Sequence, residues 1–206
     1  MTGFTIALLG LGLGIRHATD VDHLVVVAGL VQRERGLTAA ARVAALWGLG
    51  HSVSFLAIGT ALVALGVVLP AGFDTAAEAL VGLMLVAFGV WHTFPHAVAS
   101  TPQTARPIAV GVVHGLAGSA AVSLLALTTI DSRPLALLYL LLVGVGTLVG
   151  MVLVTLALSW PLRWSVSSSS PTAALDRQRL LGLGAAVLSI GLGVFTLAEL
   201  FFPEGS

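Results

Sequence analysis

The chain has 206 residues, 57% of them hydrophobic and only 9% charged, with nine arginines, no lysine, no cysteine and a formal net charge of zero. Its mean hydropathy is +1.06. Soluble domains carry about a quarter charged residues, so this is the composition of an integral membrane protein. Scattered arginines offer no basic patch to a nucleic acid, and any bound metal must be held by nitrogen and oxygen.

About 20 apolar residues cross the hydrocarbon of a bilayer. Six segments meet that length, roughly 3–31, 38–69, 75–97, 107–130, 134–160 and 178–202. The expected fold is all-α, a polytopic membrane protein of six transmembrane helices forming one domain over residues 1–206. The first segment lacks the basic start and cleavage site of a signal peptide and is expected to stay in the mature chain.

That first segment is interrupted by Arg16-His17-Ala18-Thr19-Asp20-Val21-Asp22-His23. An Asp or Arg at the middle of a membrane helix costs about 2.5–3.5 kcal/mol, whereas each Leu, Ile, Val or Phe returns about 0.3–0.6. The stretch therefore faces the inside of a bundle, where other helices, water or a cation compensate it. A straight helix puts His17, Asp20 and His23 on an arc of about 120° but turns Asp22 about 160° from Asp20. It also separates His17 from His23 by about 9 Å. Either the helix is unwound here, as Gly10, Gly12 and Gly14 would permit, or the residues divide between ligands and a supporting shell. Arg16 and Asp20, at i and i+4, are placed for a supporting ion pair.

In the second segment His51 lies mid-span. Glu78, in the third, and Glu199, in the sixth, fall near helix ends on the outer side. His92 and His96 sit at the inner end of the third beside Trp91 and Pro95, a position that suits an interfacial role. His114 lies seven residues into the fourth segment. His17, His23, His51 and His114 can converge at one level between the midplane and the cytoplasmic surface. Met84 and Met151 read as packing residues, and residues 165–171, rich in serine, as a flexible loop. Most arginines flank the odd-numbered connections, which places those in the cytoplasm and both termini outside.

A weak internal repeat relates units of about 1–99 and 107–202, joined by 100–106. Gly14-Ile15-Arg16-His17 matches Gly111-Val112-Val113-His114 at an offset of 97 residues. Gly50-His51 matches Gly146-Thr147 at 96, and Gly89-Val90-Trp91-His92 matches Gly193-Val194-Phe195-Thr196 at 104. Three helices per unit would set the copies upside down relative to each other. Gly10, Gly12, Gly14, Gly48, Gly50, Gly144 and Gly146 would let helices approach closely.

Imidazole suits nickel, copper and zinc, and carboxylate balances their charge. Magnesium and calcium prefer all-oxygen shells, and the lack of Cys disfavours Cu(I). Three function classes accommodate such a site. It could carry a divalent transition metal across the membrane, hold metal or a partner without transporting it, or bind a zinc that activates water for intramembrane hydrolysis. The last would need an acid/base Glu mid-membrane, and Glu78 and Glu199 are not placed there.

A His, four residues and then Asp-His, as in His17 to His23, resembles the signature of the nickel/cobalt permeases of the NicO superfamily. Gly50-His51-Ser52 is similar to its second signature. His114-Gly115-Leu116-Ala117-Gly118-Ser119 looks like the shorter branch associated with urease accessory proteins. The match covers residues 11–55 and 111–119. The resemblance implies that His17, Asp20, Asp22, His23 and His51 take part in metal recognition, and His114 joins them by its depth. It implies a secondary transporter in the cytoplasmic membrane, not an enzyme, with Ni2+, or alternatively Co2+, as transported substrate and no prosthetic group. Larger members have eight helices and later acid-rich signatures that this chain lacks. The lack of a His-rich cytoplasmic loop, expected in some exporters, favours uptake. Expected partners are the metal ion, the lipid bilayer, and a second copy or a metal-delivery protein.

Overall fold

The structure, a computed structural model, describes residues 3–31, 34, 36–67, 69–94, 104–117, 130–167 and 171–202, for 161–178 the backbone alone. Among the described residues the regular structure is all helix: α1 (Gly3–His17), α2 (Val21–Val31), α3 (Leu37–Leu65), α4 (Phe73–Thr93), α5 (Ala105–His114), α6 (Arg133–Ser167) and α7 (Pro171–Phe201). Four stretches are long and apolar enough to span a membrane: Leu37–Leu65, Phe73–Thr93, Arg133–Trp160 and Arg179–Phe201. They correspond to the second, third, fifth and sixth expected crossings, as a helical membrane protein requires.

The other two expected crossings are not continuous helices. The first is divided into α1 and α2 around residues 18–20. In the fourth the helix stops at His114, and residues 118–129 lie outside the described residues, as do His96 and most of the 100–106 connection. The serine-rich stretch is shorter than a loop over 165–171, because α6 runs through Ser167 and α7 begins at Pro171. Between α3 and α4 the chain turns on two glycines at positive φ, Gly66 at 64° and Gly72 at 82°. A Cβ would strain both.

Helix α1 packs on α6, α5 on α3, α3 on α6, and α4 on α7, while α2 touches α7, α6 and α3. Small residues make these approaches possible. A Cβ on Gly14 would overlap the carbonyl of Val143, and one on Gly111 the carbonyl of Trp47. A Cβ on Gly89 would lie 2.7 Å from the Ala186 carbonyl oxygen, and one on Gly193 2.6 Å from that of Gly82. Gly12 departs from expectation: it is exposed and faces open space, so the contact with α6 is made by Gly10 and Gly14 on the opposite side of α1.

One apolar cluster centres on Trp47 with Ala18, Val26, Val27, Leu85 and Met151; Met151 is fully buried there, in a packing role. A second joins Ile6, Phe55, Val63, Tyr139, Leu140 and Val143 between α1, α3 and α6. Among the described residues Trp47 is the largest fully buried side chain. Trp47→Ala is expected to destabilise the fold by about 3–5 kcal/mol, whereas Trp160→Ala, at a side chain 68% exposed, should stay within about 0.5 kcal/mol. Equilibrium unfolding in detergent checks the pair.

Candidate metal centre

The site begins with the way α1 ends. The Ala18 N–H donates to the Gly14 carbonyl at 3.1 Å, but those of Thr19 and Asp20 reach only three residues back, to Arg16 (2.9 Å) and His17 (3.1 Å). The Thr19 hydroxyl also donates to the Arg16 carbonyl at 2.6 Å. This tightening consumes the last carbonyls of α1 and ends it. Helix α2 starts again with the Leu24 N–H on the Asp20 carbonyl at 3.1 Å.

The break resolves the geometry that a straight helix could not satisfy. Asp20 Oδ2 accepts from His17 Nδ1 at 2.9 Å. Asp22 Oδ1 accepts from His23 Nδ1 at 3.0 Å and from the His23 backbone N–H at 2.9 Å. Asp22 Oδ2 accepts from His114 Nε2 at 2.7 Å. The expected Arg16–Asp20 ion pair does not form, because the i to i+4 register that would support it is lost where the helix ends, and Asp20 closes on His17 instead.

Four imidazoles meet here. Ring centroids lie 4.5 Å apart for His17 and His23, 5.3 Å for His17 and His51 and 5.2 Å for His23 and His51. His114 stands 4.5 Å from His23 and 5.9 Å from His51. His23, His51 and His114 are buried, while the side chains of His17 and Asp20 are 36% and 52% exposed. A neutral imidazole that donates one N–H to a carboxylate has its lone pair on the other nitrogen. For His23 that is Nε2, and for His114 it is Nδ1. Both atoms, and His51 Nδ1, are buried with no hydrogen-bond partner among the described residues.

Two overlapping groups offer one ligand atom per residue, all within 4.8 Å of one another: His17, His23 and His51, and Asp22, His23 and His114. His23 belongs to both. Helices α1 and α5 each end in a histidine of the cluster, so both point the negative ends of their backbone dipoles at it, an arrangement that favours a cation.

His92 lies apart from the cluster. Its Nδ1 is 2.9 Å from the Phe88 carbonyl oxygen and its Nε2 3.0 Å from that of Gly29, so it ties α4 to α2. Arg106 caps the neighbouring Trp91 ring at 3.9 Å.

Two cavities reach the cluster. One, of about 270 Å3, is lined by His17, Asp20 and His51 with Arg16, Phe55 and Tyr139. The other, of about 420 Å3, is lined by Asp22, His23 and His114 with Glu78 and Glu199. His17 and Ala117 border both. Trp47 packs against the rings, 5.5 Å from His23 and 6.2 Å from His114. Sequence reasoning missed Glu78 and Glu199 as neighbours of this site. Their depth near helix ends was legible, but the α4–α7 pairing that brings both to the cavity lined by Asp22 was not.

A urease accessory protein, UreH, of Bacillus sp. (strain TB-90) is 30% identical to this chain over 176 residues, which cover 76% of this chain and 77% of the relative. The chain belongs to the UreH family of urease accessory proteins. That is the urease-accessory branch to which the motifs at residues 11–55 and 111–119 pointed, and the relative is by name an accessory protein. No family model matches the chain, and no solved structure matches it. For a UreH-family chain, the cluster built from α1, α2, α3 and α5 is the feature a function must explain.

Proposed function

We propose that this UreH-family protein is a secondary transporter of Ni2+, with Co2+ as the alternative cargo, taking the ion up across the cytoplasmic membrane through the His/Asp cluster. One observation carries the reading: imidazoles from separate helices face one another where α1 and α5 end, with buried nitrogens that have no hydrogen-bond partner among the described residues. Each such atom costs about 1–3 kcal/mol. Three together approach the whole stability of a typical domain, about 5–15 kcal/mol, so the arrangement makes sense as a set of ligand atoms.

His17, His23, His51 and His114 are the nitrogen donors. Asp20 and Asp22 orient His17, His23 and His114, as carboxylates commonly do behind metal-bound histidines. With neutral imidazoles the two carboxylates leave two negative charges, which a divalent cation neutralises. Asp22 also belongs to the second group of ligand atoms, which shares His23 with the first. The donor set is nitrogen-rich, which suits nickel over magnesium or calcium.

In this reading α1 and α2 form one broken crossing, and α5 with the chain after it forms another, giving six crossings, both termini outside, and two inverted units. Paired contacts support the repeat. Gly14 meets Val143 and Thr147, and 97 residues on Gly111 meets Trp47 and His51, their counterparts at an offset of 96. Gly146 meets Leu11 as Gly50 meets Ile108, and Gly89 meets Ala186 as Gly193 meets Gly82. Two such halves rocking about a shared site is a common way of exposing it alternately to either side.

Reconstitution into liposomes tests the proposal. Metal-dependent Ni2+ accumulation is expected, and His17→Ala or His51→Ala should each reduce it at least tenfold, since losing even a supporting partner of a metal ligand costs about 10–100-fold. Binding without flux would instead favour a non-transporting accessory subunit, and turnover of lipid or peptide a zinc hydrolase.

A further inference from the structure

We propose that Glu78 and Glu199 form an access vestibule for hydrated divalent cations, delivering them to Asp22, His23 and His114; this rests on the transport reading. Helices α4 and α7 run antiparallel, with Gly82 against Gly193 and Leu197 and Gly89 against Ala186 and Ile190. That pairing brings the second turn of α4 beside the last turn of α7, and both carboxylates line the cavity of about 420 Å3. They are exposed, whereas Asp22, His23 and His114 of the same cavity form a group that could hold a metal ion. His23 and His114 are 1% and 2% exposed, and each has a nitrogen without a hydrogen-bond partner among the described residues.

Between mouth and base the wall is apolar, with Val81, Leu85, Leu192 and Phe195. Such a wall has a low dielectric and no ligand to offer, so it focuses the field of the two carboxylates along the cavity without trapping an ion. Asp22 keeps 34% of its side chain exposed although both its imidazole partners are buried. It is therefore the first inner oxygen an ion meets, and His23 and His114 follow directly behind it. Carboxylate oxygens at the mouth take any hydrated divalent ion, and choice among metals is left to the nitrogens. Excess Mg2+ should accordingly compete at the vestibule though not at the histidines.

The test compares the unaltered protein with the double variant Glu78→Gln/Glu199→Gln and with Asp74→Asn, which removes an exposed carboxylate from the first turn of α4 that does not line the cavity. In proteoliposomes the double variant is expected to raise the KM for Ni2+ about tenfold, the effect of two charges on a dication at close range in a partly aqueous path. Its maximal rate should hold, its KM should lose most of its dependence on salt and on Mg2+, and Asp74→Asn should match the unaltered protein. An unchanged KM, or a lower maximal rate at constant KM, overturns the vestibule. Stopped-flow quenching of the intrinsic tryptophan fluorescence by Ni2+ in detergent, with Trp47 against the His23 and His114 rings, gives a readout that needs no transport. There the association rate should fall about tenfold, and an unaltered rate also overturns the proposal. Absence of flux in the unaltered protein with a slowed association in the double variant overturns the transport reading and leaves the vestibule standing.

Discussion

Replacing His23 with alanine is expected to abolish Ni2+ binding and flux, a larger effect than any other single change at the cluster. His23 belongs to both groups of ligand atoms, and its ring stands within 5.2 Å of the centroids of His17, His51 and His114. His51→Ala leaves the Asp22, His23 and His114 group intact, and His114→Ala leaves the His17, His23 and His51 group, but His23→Ala breaks both. Affinity should fall by more than about 100-fold, beyond the range for losing an orienting partner. The fold should suffer less, since the substitution also removes a buried nitrogen with no hydrogen-bond partner among the described residues and leaves Asp22 its bond to His114. Thermal unfolding separates the two effects. Ni2+ at 100 times its Kd stabilises a binding protein by about 2.7 kcal/mol, and that shift should vanish in His23→Ala while the metal-free midpoint moves little. A retained Ni2+-induced shift would sink the assignment of His23 as the shared ligand.

Why the cluster was legible in the sequence, and where legibility stopped, follows from the same physics. Lipid makes every buried Asp, Arg and His expensive, so His17, Asp20, Asp22, His23, His51 and His114 stood out against an apolar background, and depth counting brought the four histidines to one level. Angles on an ideal helix showed that a straight α1–α2 could not aim Asp20 and Asp22 at one place. They could not show that the helix breaks, because the break is made by Thr19 and Asp20 bonding three residues back, a choice between two nearly equal local patterns that tertiary packing decides. The same break redirected Asp20 from Arg16 to His17. Crossing number was the weaker inference, since hydropathy registers an apolar run without seeing that α5 stops at His114. Glu78 and Glu199 were invisible as site residues because their role depends on which helix α4 pairs with, and no periodicity within α4 encodes that.

Gly111→Ala tests whether close helix packing is what holds the ligands at their distances. An added Cβ would overlap the Trp47 carbonyl and lie 2.9 Å from the His51 backbone nitrogen. Both obstacles are backbone, so no side chain can move aside, and α5 must separate from α3. His114 ends α5 and His51 sits on the contacted face of α3, so the separation pulls apart rings now 5.9 Å between centroids. Overpacking of this kind costs about 1–3 kcal/mol of stability. Metal-ligand distances tolerate only about 0.2 Å, so Ni2+ affinity should drop more than tenfold, further than the loss of stability alone would produce. Gly14→Ala should behave alike, because its Cβ would overlap the Val143 carbonyl and lie 2.6 Å from the Thr147 nitrogen, displacing α1 and with it His17. Gly12→Ala, facing open space, should leave Ni2+ affinity unchanged and, where alanine is the better helix former by about 0.8–1.0 kcal/mol, leave stability equal or raised. Equal Ni2+ affinities for the variants at Gly111, Gly14 and Gly12 would show that the imidazoles hold their spacing without the glycine contacts.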